Sequence, residues 1–131
     1  MQPCMLLQNH LMMLVLSALV GACGSTSPVA NIDDLSPEQV SVINGVTIYN
    51  HSKILRRKLE ILKTVEGISC KNSIWGYAAT KRDAIFQTRY GAHQIGADGI
   101  INLRCDRPRD LTDTYKCSDI VICSGEAIKF K

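Results

Sequence analysis

No apolar run in this sequence is long enough to cross a bilayer: the most hydrophobic stretch, Leu11 to Val20, is about half the roughly 20 residues that a spanning helix needs. Lys and Arg are missing from two further regions. Residues 1–22 contain no Asp, Glu, Lys or Arg, and residues 24–44 contain no Lys or Arg. Catalytic signatures are absent as well, with no Gly-x-Ser-x-Gly elbow, no His-Glu-x-x-His pair and no glycine-rich phosphate loop. His51 and His93 stand at no ligand spacing from any carboxylate. The expectation is therefore a chain that is not an enzyme. Closely spaced Cys-x-x-Cys knuckles, the usual mark of a structural zinc site, are lacking too.

What is present starts with a leader. A short apolar core followed by the small residues Gly21 and Ala22 has the shape of an export signal. Cys23 comes next, and Leu19-Val20-Gly21-Ala22-Cys23 resembles the lipobox of bacterial lipoproteins, whose cysteine becomes the acylated N-terminus. That resemblance makes residues 1–22 a signal peptide and Cys23 a lipidation site, with the covalent lipid, palmitate included, as the one added group and no other cofactor. Buried CH₂ groups contribute about 0.8 kcal/mol each, so several acyl chains hold a protein firmly on a membrane. Gly24 follows, where an Asp is the usual inner-membrane retention signal, and the resemblance accordingly implies the outer membrane.

Residues 23–44 read as a lipidated N-terminus and flexible tether, polar and without a sustained period. Ser36-Pro37 within it is a helix start, Ser as N-cap and Pro at the first helical position. In an exported chain, thiols oxidise. Cys4 leaves with the leader and Cys23 is acylated, so Cys70, Cys105, Cys117 and Cys123 form an even set, and two disulfides are expected. The segment Cys117 to Cys123 reads as a strand, which would separate its ends by roughly 20 Å, well beyond the limit of about 7 Å for a disulfide. Those two should not pair with each other. Each has Cys70 or Cys105 as a candidate partner, and a simple hairpin would set Cys105 opposite Cys117.

Folded structure is expected over residues 45–131. Val46-Thr47-Ile48-Tyr49 is a short β-branched strand, and Leu59 to Cys70 a longer one with charged and apolar residues interleaved. Thr80-Lys81-Arg82-Asp83 carries a capping signature, after which Ile85, Thr88, Ala92 and Ile95 recur at helical spacing with Ala84 beside them, until Gly96 and Gly99 stop the helix. Ile100 to Cys105 and Ile120 to Phe130 supply two more strands. The expected class is α+β: a small, mainly antiparallel sheet of about four strands, one helix packed on one face, and two disulfides.

Gly67-Ile68-Ser69-Cys70, Thr80-Lys81-Arg82, Ile95-Gly96-Ala97-Asp98-Gly99-Ile100, Arg104-Cys105, Lys116-Cys117 and Ile120 to Ala127 together resemble the RcsF family. These are outer-membrane lipoproteins of the Rcs envelope-stress response, and the match spans about residues 46–130 plus the lipobox. The resemblance implies non-consecutive bridges, Cys70 to Cys117 and Cys105 to Cys123. It also implies a lipid-anchored periplasmic domain that senses envelope stress and signals to the Rcs phosphorelay by protein contacts. Its implied partners are barrel proteins with their assembly machinery and an inner-membrane repressor of the relay. The expected oligomeric state is monomeric, and the compartment argues against nucleic acid.

Two basic clusters, Lys53, Arg56, Arg57 and Lys58, then Lys81, Arg82 and Arg89, are either solvated faces or contacts for lipopolysaccharide phosphates or an acidic partner. Trp75 and Tyr77 are either an exposed aromatic anchor or the lid of a small core. Trp75, Tyr77, Lys81, Arg82 and Arg89 are thus the candidate partner-binding residues. Two other functions remain as alternatives: a structural or assembly lipoprotein without signalling output, and a small metal-binding module, which requires reduced thiols.

Overall fold

The computed structural model describes residues 32–54, 56–72, 76–110 and 112–131. In chain order the elements are a 3-10 turn at Ile32–Asp34, α1 (Pro37–Asn44), β1 (Thr47–Tyr49), α2 (His51–Ile54), β2 (Leu59–Lys71), α3 (Lys81–Gln94), β3 (Gly99–Asp106), α4 (Thr112–Tyr115) and β4 (Asp119–Phe130). Four strands form one mixed sheet in the order β1-β3-β4-β2. β4 is antiparallel to both neighbours, while the short β1 lies parallel to β3. Helix α3 joins β2 to β3, and β4 is inserted between them, so the centre of the molecule is a split β-α-β unit. The fold is α+β with two disulfides, as the sequence pattern predicts, with three short helices beside the main one.

α3 is held at its start and along one face. The Thr80 hydroxyl accepts from the Asp83 backbone N–H at 3.1 Å and donates to the Asp83 carboxylate at 2.6 Å, a cap of the kind that contributes about 1 kcal/mol. Ala84, Thr88 and Ala92 recur every fourth residue and are fully buried. Small side chains there bring the helix backbone onto the sheet. Gly67 of β2 receives it, since a Cβ at that position would collide with the Ala84 carbonyl and the Thr88 backbone. The Thr88 hydroxyl donates to the Ala84 carbonyl at 2.9 Å and lies 3.3 Å from the Cys123 carbonyl. Ile95 departs from the expected stripe and stays exposed, because the helix ends at Gln94 and Gly96 turns away at φ +70°. Phe86 is buried instead, on the flank facing α1.

The packed body also begins earlier than Gly45. Ser36 and Gln39 form a reciprocal capping box, the Ser36 Oγ accepting from the Gln39 N–H at 3.2 Å and the Gln39 Oε1 accepting from the Ser36 N–H at 2.8 Å. With Pro37 at the first position, this fixes a full helix where a flexible tether with one helical turn is expected. α1 buries Ile43 and packs against α3, so residues 37–44 belong to the folded body. Its own backbone N–H and the Ser36 hydroxyl hold the Glu38 carboxyl below its ordinary value.

A single inserted residue sets the phase of β3. Ile100 pairs with Ala127 but Cys105 pairs with Cys123, so the register slips between Ile101 and Arg104. Asn102 sits at the slip with φ +54°, a left-handed conformation that asparagine tolerates, and its amide donates to the Glu126 carboxylate at 2.6 Å. Strict alternation would put Cys105 on the face opposite Ile100. With the bulge, Leu103 and Cys105 turn to the α3 side, among Ala84, Val121 and Cys123. The other face is closed at one end by Ile54 of α2 over Ile101 and Ile128. Phe130 seals that cluster, with Tyr49 edge-on at 5.5 Å and the Arg57 guanidinium 3.6 Å above its ring.

Candidate functional site

The two bridges are Cys70–Cys117 and Cys105–Cys123. This is the pairing that the resemblance implies, and the simple hairpin alternative fails for a structural reason. The connection from β3 to β4 contains α4, and Lys116 at φ +54° turns the chain after that helix, so Cys117 precedes β4 instead of standing opposite Cys105. It therefore lies outside the strand in which the sequence pattern places it. The end of β2 meets it there: the Ser118 backbone N–H and hydroxyl both donate to the Lys71 carbonyl, at 2.7 and 2.9 Å. Cys105 and Cys123 are directly opposite on neighbouring strands, and Cys123 is wholly buried under α3. All four thiols are consumed, which removes them as metal ligands. Among the described residues no cluster of three His, Cys, Asp or Glu side chains is placed to hold a metal ion.

Arg107 joins this end of the molecule together, a role not foreseen from its place in a polar loop. Its guanidinium donates to both Asp119 carboxylate oxygens, at 2.8 and 2.7 Å, and to the Ala79 carbonyl at 3.2 Å. The loop leading into α3 is thereby tied to the start of β4. Directly beside Ala79 the chain turns outward, and Tyr77 is 100% exposed. Tyr77 thus covers no core. Trp75 lies outside the described residues, as do Cys23 and the leader.

Lys81, Arg82 and Arg89 come together. They line one cleft of about 580 Å³ between α1 and α3, whose apolar wall includes Val40, Ile48, Ile85 and Phe86. The three cations have no ion pair or hydrogen bond to another described residue. Asp83 also borders the cleft, but the Thr80 hydroxyl already donates to its carboxylate. The Arg89 Nε is buried and unpartnered, which is costly for a charged donor. Lys81 and Arg82 are also the first two residues of α3, where the helix dipole disfavours cations. Local stability would favour acids there, so the arrangement suits an anion from outside. The other basic cluster is different in kind, since Arg57 is spent on Phe130, on the opposite side of the sheet.

Among the described residues no helix is long and apolar enough to cross a membrane. In comparisons with known proteins, the chain matches no protein-family profile and no curated sequence.

Proposed function

We propose that this chain is a lipid-anchored envelope lipoprotein, attached through Cys23 to the outer membrane, whose periplasmic domain reports envelope stress to the Rcs phosphorelay by protein-protein contact. The observation that carries the reading is the disulfide frame. A helix lies between the first and second cysteines, and two interleaved bridges fasten β4 and its entry to β2 and β3. Such bridges persist in an oxidising compartment. The contact surface is the exposed Tyr77 with the basic start of α3, Lys81 and Arg82, and Arg89 behind them. Nothing in this role requires a cofactor or a reaction at the protein.

A phosphorelay-controlled reporter tests it. Deleting the gene, or overproducing the chain, should change reporter output several-fold, and Cys70→Ser should abolish the response by unfolding the domain. Photocrosslinkers placed at Trp75 and Arg82 should capture an inner-membrane protein. An unchanged reporter with capture of barrel proteins alone would replace signalling with an assembly role.

A further inference from the structure

The cleft between α1 and α3 has more chemistry than a protein contact needs. Its lining combines the apolar Val40, Ile48, Ile85 and Phe86 with Lys81, Arg82 and Arg89, three cations that have no partner among the described residues, beside the single carboxylate of Asp83, and the Arg89 Nε is buried without a partner among them. A small free anion would satisfy the cations and leave Val40, Ile48 and Phe86 wetted. An uncharged apolar guest would leave the guanidinium groups unanswered. A volume of about 580 Å³ is that of a site for a small organic molecule, larger than a phosphate alone requires.

We propose that this cleft takes the phosphate head of an anionic glycerophospholipid, its phosphate between Arg82 and Arg89 and its first acyl carbons against Ile48 and Phe86. Arginine suits the role because its planar fork meets phosphate oxygens in pairs. α1 supplies Val40 and Asn44 to the wall and packs onto α3. From Cys23 to Ile32 the chain can extend no more than about 30 Å. On the anchored reading above, on which this step rests, the cleft opens within reach of the leaflet that holds the lipid anchor.

The test is a titration that does not depend on anchoring. The full chain, with isotope-labelled arginine, is held in neutral maltoside micelles while the Arg89 Nε–H resonance is followed. Dihexanoyl-phosphatidylglycerol should move that resonance saturably, with binding about tenfold weaker in Arg82→Gln, the loss expected for one charge-assisted contact. Arg109→Gln, on the loop before α4, should bind as the parent does. Dihexanoyl-phosphatidylcholine should leave the resonance in place, and inorganic phosphate should bind at least about tenfold more weakly than the lipid. An equal response to phosphatidylcholine, an equal response to inorganic phosphate, or no response from protein with native Thr88 and Ala92 amide signals would each overturn the assignment. Lipid binding by a chain that is inert in the reporter would sink the signalling reading and leave this one standing.

Discussion

Gly67 and Ala84 meet backbone to backbone: any side chain on Gly67 would enter the space of the Ala84 carbonyl oxygen, because α3 rests directly on β2 at that point. The contact sets the height of the helix above the sheet. It also lets the Thr88 hydroxyl approach both the Ala84 and Cys123 carbonyls.

Gly67→Ala should therefore destabilise the domain by about 3 kcal/mol, at the upper end for an overpacked core. A urea melt followed by circular dichroism measures it. Gly91→Ala is the control, since a Cβ there meets only Val65 at an ordinary 3.8 Å. In a helix that change should stabilise by up to about 1 kcal/mol.

Removing either disulfide should cost more than any single side-chain contact. Cys70 and Cys117 are 47 residues apart and Cys105 and Cys123 are 18 apart. On the chain-entropy account the first bridge stabilises by about 4 kcal/mol and the second by about 3 kcal/mol. Cys123 is also fully buried, so Cys123→Ser adds a hydroxyl with no room for water and should cost at least as much as Cys70→Ser. Thermal melts of the paired variants, C70S/C117S against C105S/C123S, separate the two contributions.

Charge reversal at the start of α3 should move stability and function in opposite directions. K81E/R82E brings acids to the positive end of the helix dipole and should stabilise the fold by about 0.5 kcal/mol. The same variant should lower reporter induction by roughly tenfold, the effect of about 1.4 kcal/mol of lost contact. A variant that is more stable and still fully active would dissociate these cations from signalling.

Ser36→Ala should loosen α1 specifically, costing about 1 kcal/mol and raising protease sensitivity between Ile32 and Asn44 while α3 stays protected. The acid side of the stability profile should shift with it. Glu38 has a depressed carboxyl, so its contribution is present above the ordinary value of 4.5 and is lost as pH falls through the lower folded value. Without the Ser36 hydroxyl that loss should begin nearer 4.5, which hydrogen exchange at α1 amides across an acid titration would show.

Much of the framework was legible because local chemistry and tertiary structure agree. Thr80 and Asp83 announce α3, and β-branched runs announce β3 and β4. Ile95 has helical spacing but lies past the last turn, where Gly96 redirects the chain, so periodicity alone assigns it to the buried stripe. Phe86 carries no local mark of its burial, because it lies on the flank of α3 that shares a cleft with α1, a segment whose composition reads as tether. The capping residues were visible there, but the burial of Ile43 against a distant helix carries no local mark. Cleft formation is of the same kind: Lys81, Arg82 and Arg89 share a helix in any reading, whereas the wall opposite them comes from Val40 and Ile48. The bridge between Cys105 and Cys123 depends on a bulge that two-residue periodicity cannot foresee.

That bulge has a bearing on oxidative maturation. An added residue at Asn102 shifts everything after it to the reverse side of the ribbon, so the partner of Cys105 is chosen by backbone phase and not by thiol reactivity. A strand that kept Asn102 but ran without the bulge would aim Cys105 away from Cys123, and an oxidase would be left to form mispaired species from a chain whose sulfur content had not changed.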